Sequence, residues 1–186
     1  MNRWFYTQLW RIAPPLIRHY LKKRAAKSPA YLYHWGERFG EPFDRPVQHP
    51  IWVHAVSVGE TRAAQPLVEA LRRHFPDAPL LMTQMTPTGR TAAKELFPDA
   101  QCRYLPYDKP EWVAQFLKEH RPLFGVLMET EIWPNLMHAC ADAHVPLFLA
   151  NARLSEKSQR GYLKIRNLFE PALQTLSGCF AQTAED

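Results

Sequence analysis

Residues 51–60 read IWVHAVSVGE, an apolar, β-branched run that stops at Ser57 and Gly59 and sets a carboxylate, Glu60, just past the stop. A strand buried on both faces reads as a continuous apolar run, and the helix-type segment that follows, Thr61 to Phe75, implies a strand-loop-helix unit. Ligands of open α/β sheets bind beyond the carboxyl ends of the strands, which puts Ser57 to Glu60 on the working rim. Glu60 is the first candidate for chemistry.

The pattern repeats outward from this unit. Pro79 to Thr83, Gln101 to Leu105, Leu123 to Met128, Val145 to Ala150 and Gly178 to Gln182 are strand-like. Between them lie helical segments opening at Thr86-Pro87-Thr88-Gly89 and spanning Pro110–His120, Ile132–Ala143 and Ser155–Leu176, the last with a break expected at Pro171. Alternation with short loops predicts an α/β fold, a Rossmann-like doubly wound parallel sheet, over residues 50–186.

Charge is distributed unevenly. Residues 1–49 carry nine Lys/Arg against three Asp/Glu, and residues 50–186 carry 14 against 15, so the net +5 belongs to the N-terminal segment. A nearly neutral body lacks the broad cationic face that nucleic-acid backbone binding needs, and no nucleic-acid partner is expected. Cys102, Cys140 and Cys179 lie far apart without CxxC spacing, which excludes a disulfide framework and marks Cys140 and Cys179 as small core residues. With no HxxH or HExxH pattern, no metal is expected.

Residues 1–27 interleave Trp4, Phe5, Leu9, Trp10, Ile12, Leu16 and Tyr20 with Arg11, Arg18, Lys22, Lys23 and Arg24. Only six uncharged residues separate Arg11 from Arg18, against the roughly 20 that a spanning helix requires. Aromatics with a cationic fringe suit a segment lying on an anionic membrane surface, and they equally suit an amphipathic helix packed on its own domain. Pro14 and Pro15 are expected to kink or restart any helix there. Residues 28–49, rich in Gly and Pro, read as an irregular linker wrapped over the sheet edge.

The rim loops carry the candidate site. Ser57 and Gly59 flank Glu60, but one glycine and an acid do not make a dinucleotide cradle. Glu60 can act as general base toward a substrate hydroxyl, or simply occupy a helix start. Thr86, Thr88, Gly89 and Arg90 form an ordinary helix start whose free N–H groups and guanidinium can also hold an anionic substrate group. Glu129 and Glu131 end a buried strand, where two charges need partners such as Arg153 or a substrate. His54, Trp52 and Trp133 read as core, and His138 and His144 as helix-surface residues.

HAVSVGE followed by Thr61-Arg62-Ala63, MTPTG (85–89), YLPYD (104–108), METEIWPN (128–135) and NARLSEKS (151–158), with HWGERFG (34–40) ahead of them, stand in one order. In that order and spacing, from about Trp35 to Asp186, the chain resembles the N-terminal domain of the 3-deoxy-D-manno-octulosonic acid (Kdo) transferases of lipid A assembly. The resemblance implies the N-terminal half of a B-type glycosyltransferase, holding a lipid A precursor as acceptor, with CMP-Kdo bound mainly by a donor domain expected beyond Asp186. It implies no cofactor beyond that donor substrate, a place at the cytoplasmic face of the inner membrane, and little turnover for this half alone. It puts the catalytic base on Glu60 and the supporting carboxylates on Glu129 and Glu131. A different B-type glycosyltransferase would share the sheet without METEIWPN, and a non-catalytic membrane-docking module would need only the basic aromatic N-terminus.

Overall fold

The computed structural model describes residues 1–154 and 156–183. Six strands run parallel: Ile51–His54 (β1), Leu80–Gln84 (β2), Gln101–Tyr104 (β3), Phe124–Met128 (β4), Leu147–Ala152 (β5) and Gly178–Ala181 (β6). Their order across the sheet is β3-β2-β1-β4-β5-β6, the doubly wound arrangement expected from the alternation. Ile51 registers with Leu80 on one side and Phe124 on the other, so β1 is central, and all four of its residues are buried.

Nine α-helices are described: Arg3–Ala25 (α1), Trp35–Arg38 (α2), Val58–Ala63 (α3), Gln65–His74 (α4), Pro87–Leu96 (α5), Pro110–His120 (α6), Pro134–Asp142 (α7), Glu156–Lys164 (α8) and Arg166–Leu173 (α9). Alternate strand residues face two cores. Trp52, Leu81, Leu127 and Leu149 meet Phe116 of α6 and Leu136 and Met137 of α7. Ile51, Val53, Met82 and Val126 meet Val68 of α4 and Ala93 of α5.

Several boundaries differ from the sequence reading. The helix expected over 61–75 begins at Val58 and divides at Ala64, because Pro66 cannot donate to the carbonyl four residues back. The break expected at Pro171 falls instead at Ile165, whose φ of −125° leaves the helical region, and Pro171 lies within α9. Ser155, the expected start of that helix, lies outside the described residues. Cys179 is exposed on β6, an edge strand, and is not a core residue.

α1 runs as one helix through Pro14 and Pro15 instead of restarting there. The prolines remove two helical hydrogen bonds, and anchoring on both sides of the pair holds the path. Trp10 stacks on Tyr107 ahead of the prolines, and beyond them the Arg18 guanidinium lies 4.8 Å from the Phe39 ring. Residues 28–49 follow the β3 edge: Glu37 accepts the Tyr104 N–H at 2.7 Å, and Gln101 accepts the Val47 N–H at 3.0 Å. They thereby satisfy backbone and side-chain polar groups along an edge that would otherwise lack partners.

Candidate functional site

Because all six strands are parallel, the loops after β1, β2, β4 and β5 open on one rim. In the first, Ser57 caps α3 and Glu60 is its third residue, the spacing of a capping box. The Ser57 hydroxyl donates to Glu60 Oε1 at 2.8 Å, and the Val56 N–H donates to Oε2 at 2.8 Å. Glu60 is 7% exposed, and burial raises its carboxyl above the usual range. The bonds from Ser57 and Val56 oppose that rise, and the charge of Glu129 adds to it. The capping hydrogen bonds and a raised proton affinity therefore coexist in one side chain.

The second loop is built against the first. The Val56 carbonyl accepts from the N–H groups of Met85 and Thr86, each at 3.2 Å, and from the Thr86 hydroxyl at 3.1 Å. Thr86 also caps α5 by accepting the Gly89 N–H. A Cβ on Gly89 would lie 3.0 Å from the Val56 oxygen and 3.2 Å from the Ser57 carbonyl carbon, so glycine permits the two loops to touch. Gly59 has no such constraint, since a Cβ there meets only its own cap, Ser57 Oγ, at 3.8 Å. Thr88 is exposed beside Pro87 in a groove that also includes Val58 and Arg62.

Arg90 does not face this groove as a free cation. Its guanidinium is buried and holds Glu37 through two hydrogen bonds, which corrects its reading as a clamp for an anionic substrate group. A bidentate carboxylate already fills the guanidinium fork.

The carboxylates after β4 approach Glu60 electrostatically. Burial pushes Glu131 up to about 7, and the charges of Glu60 and Glu129 add to the rise. The Trp133 indole N–H donates to Glu131 at 2.7 Å and opposes it. Glu129 is exposed and takes a left-handed φ of 58°, which ends β4 sharply. Arg153 is exposed, and among the described residues no ion pair links it to Glu129 or Glu131, a correction to the partnership expected from sequence. Its carbonyl accepts the Thr130 hydroxyl, so it ties the β4 and β5 loops through backbone. The electrostatic relief of Glu131 comes from its shift toward the neutral acid and from Trp133.

His54 sits beneath these loops, edge-on to Trp133 at 5.8 Å. Its Nδ1 lies 2.9 Å from the Thr83 hydroxyl, whereas Nε2 has no hydrogen-bond partner among the described residues. The core imidazole is thus half satisfied. Complete burial lowers its pKa to about 3 and keeps it neutral.

Two residues inside the sequence motifs do work that periodicity did not reveal. Asp108 accepts the N–H groups of Asn135 and Leu136, at 3.0 and 2.7 Å, and so caps α7. It also accepts the Tyr6 hydroxyl at 2.8 Å, while Asn135 Oδ1 accepts from Thr7 at 3.0 Å and Arg3 at 3.3 Å. These bonds tether α1 to the rim. The available signal was an acid two residues ahead of a proline-started helix, Asp108-Lys109-Pro110, with a second proline start at Trp133-Pro134-Asn135.

A profile of the family described as 3-deoxy-D-manno-octulosonic-acid transferase (kdotransferase) matches residues 33–186. A protein named 3-deoxy-D-manno-octulosonic acid transferase from Bordetella pertussis is 41% identical over 196 aligned positions, covering all of this chain and 45% of the relative. Its namesake from Haemophilus influenzae is 40% identical over 169 positions, 89% of this chain and 40% of that protein. A probable mitochondrial transferase of the same name from Arabidopsis thaliana is 36% identical over 77% of this chain and 33% of its own length. The chain spans under half the length of these relatives.

Proposed function

The chain belongs to the 3-deoxy-D-manno-octulosonic-acid transferase family, and from that membership we propose that it is the acceptor-side half of a glycosyltransferase moving Kdo from CMP-Kdo to a lipid A precursor. In this reading Glu60 is the general base. It removes the proton from a primary hydroxyl of the acceptor sugar, the oxygen attacks the anomeric carbon of Kdo, and CMP leaves from the donor-binding half. Glu129 supports Glu60 by adding its charge to the rise in proton affinity that burial imposes, and Glu131 stands in the field of both. Ser57 and the loop of Thr86, Thr88 and Gly89 shape the acceptor cleft, and the chemistry needs no metal or organic cofactor.

The observation that carries the reading is the state of Glu60. It is a buried carboxylate on the strand-end rim, pinned at both oxygens and raised in pKa by burial. A base in this condition keeps more proton affinity than the helix start alone would leave it. We assign the protein to the cytoplasmic face of an inner membrane, held by α1. Trp4, Phe5, Leu9, Ile12, Leu16 and Tyr20 are exposed along that helix, and Lys22, Lys23 and Arg24 close it. No helix among the described residues is long and apolar enough to cross a membrane. Apolar burial with attraction to anionic lipid suits a surface attachment.

The test is Glu60→Gln in a chain carrying both acceptor and donor halves, assayed for Kdo transfer. Loss of about 10²-fold or more, the range general base catalysis supplies, with acceptor affinity retained, is the expected result. Transfer within about tenfold of the parent, below that range, would remove Glu60 from the role.

A further inference from the structure

Arg38 lies in the segment ahead of the sheet, outside every strand-end loop, yet its side chain is completely buried. One guanidinium nitrogen, Nη1, donates to the Met85 carbonyl at 3.0 Å. The plane lies over the Tyr104 ring at 3.6 Å, and the Arg38 carbonyl accepts the Tyr107 N–H at 3.0 Å. Among the described residues Nε and Nη2 have no hydrogen-bond partner. Arginine's charge at Tyr104 and Tyr107 opposes the rise in pKa that burial imposes on both. A buried cation with one firm acceptor is a poor stabilising device, and an apolar side chain of similar volume serves packing as well or better. Its location decides what else it does.

Met85 connects Arg38 to the site. Its carbonyl takes the Arg38 bond, and its own N–H donates to the Val56 carbonyl. Val56 in turn gives its N–H to Glu60 Oε2. Three hydrogen bonds therefore lead from Arg38 through two backbone residues to the carboxylate. Arg90 reinforces the same loop, since Glu37, the neighbour of Arg38, holds it at the start of α5. We propose that Arg38 is a positioning residue for Glu60, fixing the Met85–Thr86 turn so that the Val56 backbone presents its N–H to the carboxylate. The inference rests on Glu60 being the base, and it deepens that reading by naming what holds the base in place. Arg38, completely buried, acts through backbone groups that stay the same when a side chain is replaced.

The experiment compares Arg38→Met, which keeps length and packing but has no donor, with Arg38→Lys, which keeps a donor and a charge. Both are made in a chain carrying acceptor and donor halves. Misplacing a catalytic group by an ångström reduces turnover on the order of 10- to 100-fold, so Arg38→Met should lose that much kcat while acceptor KM stays within about threefold. Arg38→Lys should recover most of the loss. Amide hydrogen exchange supplies a readout independent of catalysis: in Arg38→Met, peptides over residues 55–60 should exchange faster while those over β1 remain protected. Parental kcat in Arg38→Met would overturn the proposal, as would faster exchange across β1 and the 55–60 loop alike, which marks a purely structural role. If Glu60→Gln transfers Kdo within about tenfold of the parent, the reading of Glu60 fails on its own account, and unchanged exchange at 55–60 in Arg38→Met would overturn the claim about Arg38 independently.

Discussion

Glu37 grips Arg90 at both ends of its carboxylate, Oε2 to Nη1 at 2.6 Å and Oε1 to Nη2 at 3.0 Å, and joins the segment before the sheet to the start of α5. Glu37 Oε2 also accepts the Tyr104 N–H, so one buried acid serves a helix, an edge strand and its own turn. A buried charge depends on its partner far more than an exposed one does.

Removing one partner should therefore destabilise the domain strongly. Arg90→Met leaves an unpaired buried carboxylate, and a loss of about 3–5 kcal/mol is expected in chemical denaturation. Glu37→Leu combined with Arg90→Met should recover part of that loss, because no orphan charge remains. A double variant as unstable as the sum of the two singles would show that the pair is not coupled.

The pH dependence of transfer follows from the coupled carboxylates. As the proposed base, Glu60 must be ionised, so its raised pKa should move the acid limb of kcat/KM above the ordinary carboxylate range. The charge of Glu129 adds to the rise at Glu60, while Glu131, pushed to about 7 by burial, ionises later. Glu129→Gln removes the first charge, so Glu60 ionises more readily and the acid limb should move to lower pH. An unmoved limb in a pH–rate profile would separate the two groups.

His120 controls acid stability away from the site. Nδ1 lies 2.9 Å from the Val47 carbonyl and Nε2 lies 2.9 Å from Arg103 Nη1, an arrangement that suits the neutral ring protonated at Nδ1. Burial, together with the Arg103 charge, lowers its pKa to about 4. The unfolded ring, at about 6.5, binds its proton first as pH falls, so the contribution is complete above that value and is lost between about 6.5 and 4. Within this window the folded state should lose about 1.4 kcal/mol per pH unit from this residue. His120→Gln should flatten the stability curve there by one proton's slope, measured by denaturant unfolding at a series of pH values.

Membrane attachment should track the outer face of α1. Leu9, Ile12 and Leu16 are exposed, whereas Leu21 and Ala25 are buried against the domain. Changing Ile12 and Leu16 to Glu should weaken binding to anionic vesicles without lowering the melting temperature, since neither side chain supports the core. Vesicle sedimentation that is indifferent to these changes would dissociate α1 from membrane binding.

The strand-helix alternation was legible because β1, β2 and nearly all of β4 are buried on both faces, and a continuous apolar run cannot remain in water. SVGE was legible too, since a serine followed three residues later by glutamate is a local hydrogen-bonding pattern. The pairing of Arg90 was not legible, for the opposite reason. Its partner stands 53 positions earlier, in a turn whose glycine and proline content suggested only a linker. Asp108 likewise engages Tyr6 and Asn135, 102 and 27 positions away.

By itself the sequence determined the sheet, the rim on which the polar loops gather and the family, because periodicity, local capping and ordered motifs each depend on neighbours along the chain. Only the tertiary structure decided which charges were already matched, how Val56 receives Met85 on one side and holds Glu60 on the other, and that α1 docks through Tyr6. Those outcomes depend on distances between residues far apart in the chain, and burial alone sets the dielectric in which Glu60 and Glu131 hold their protons.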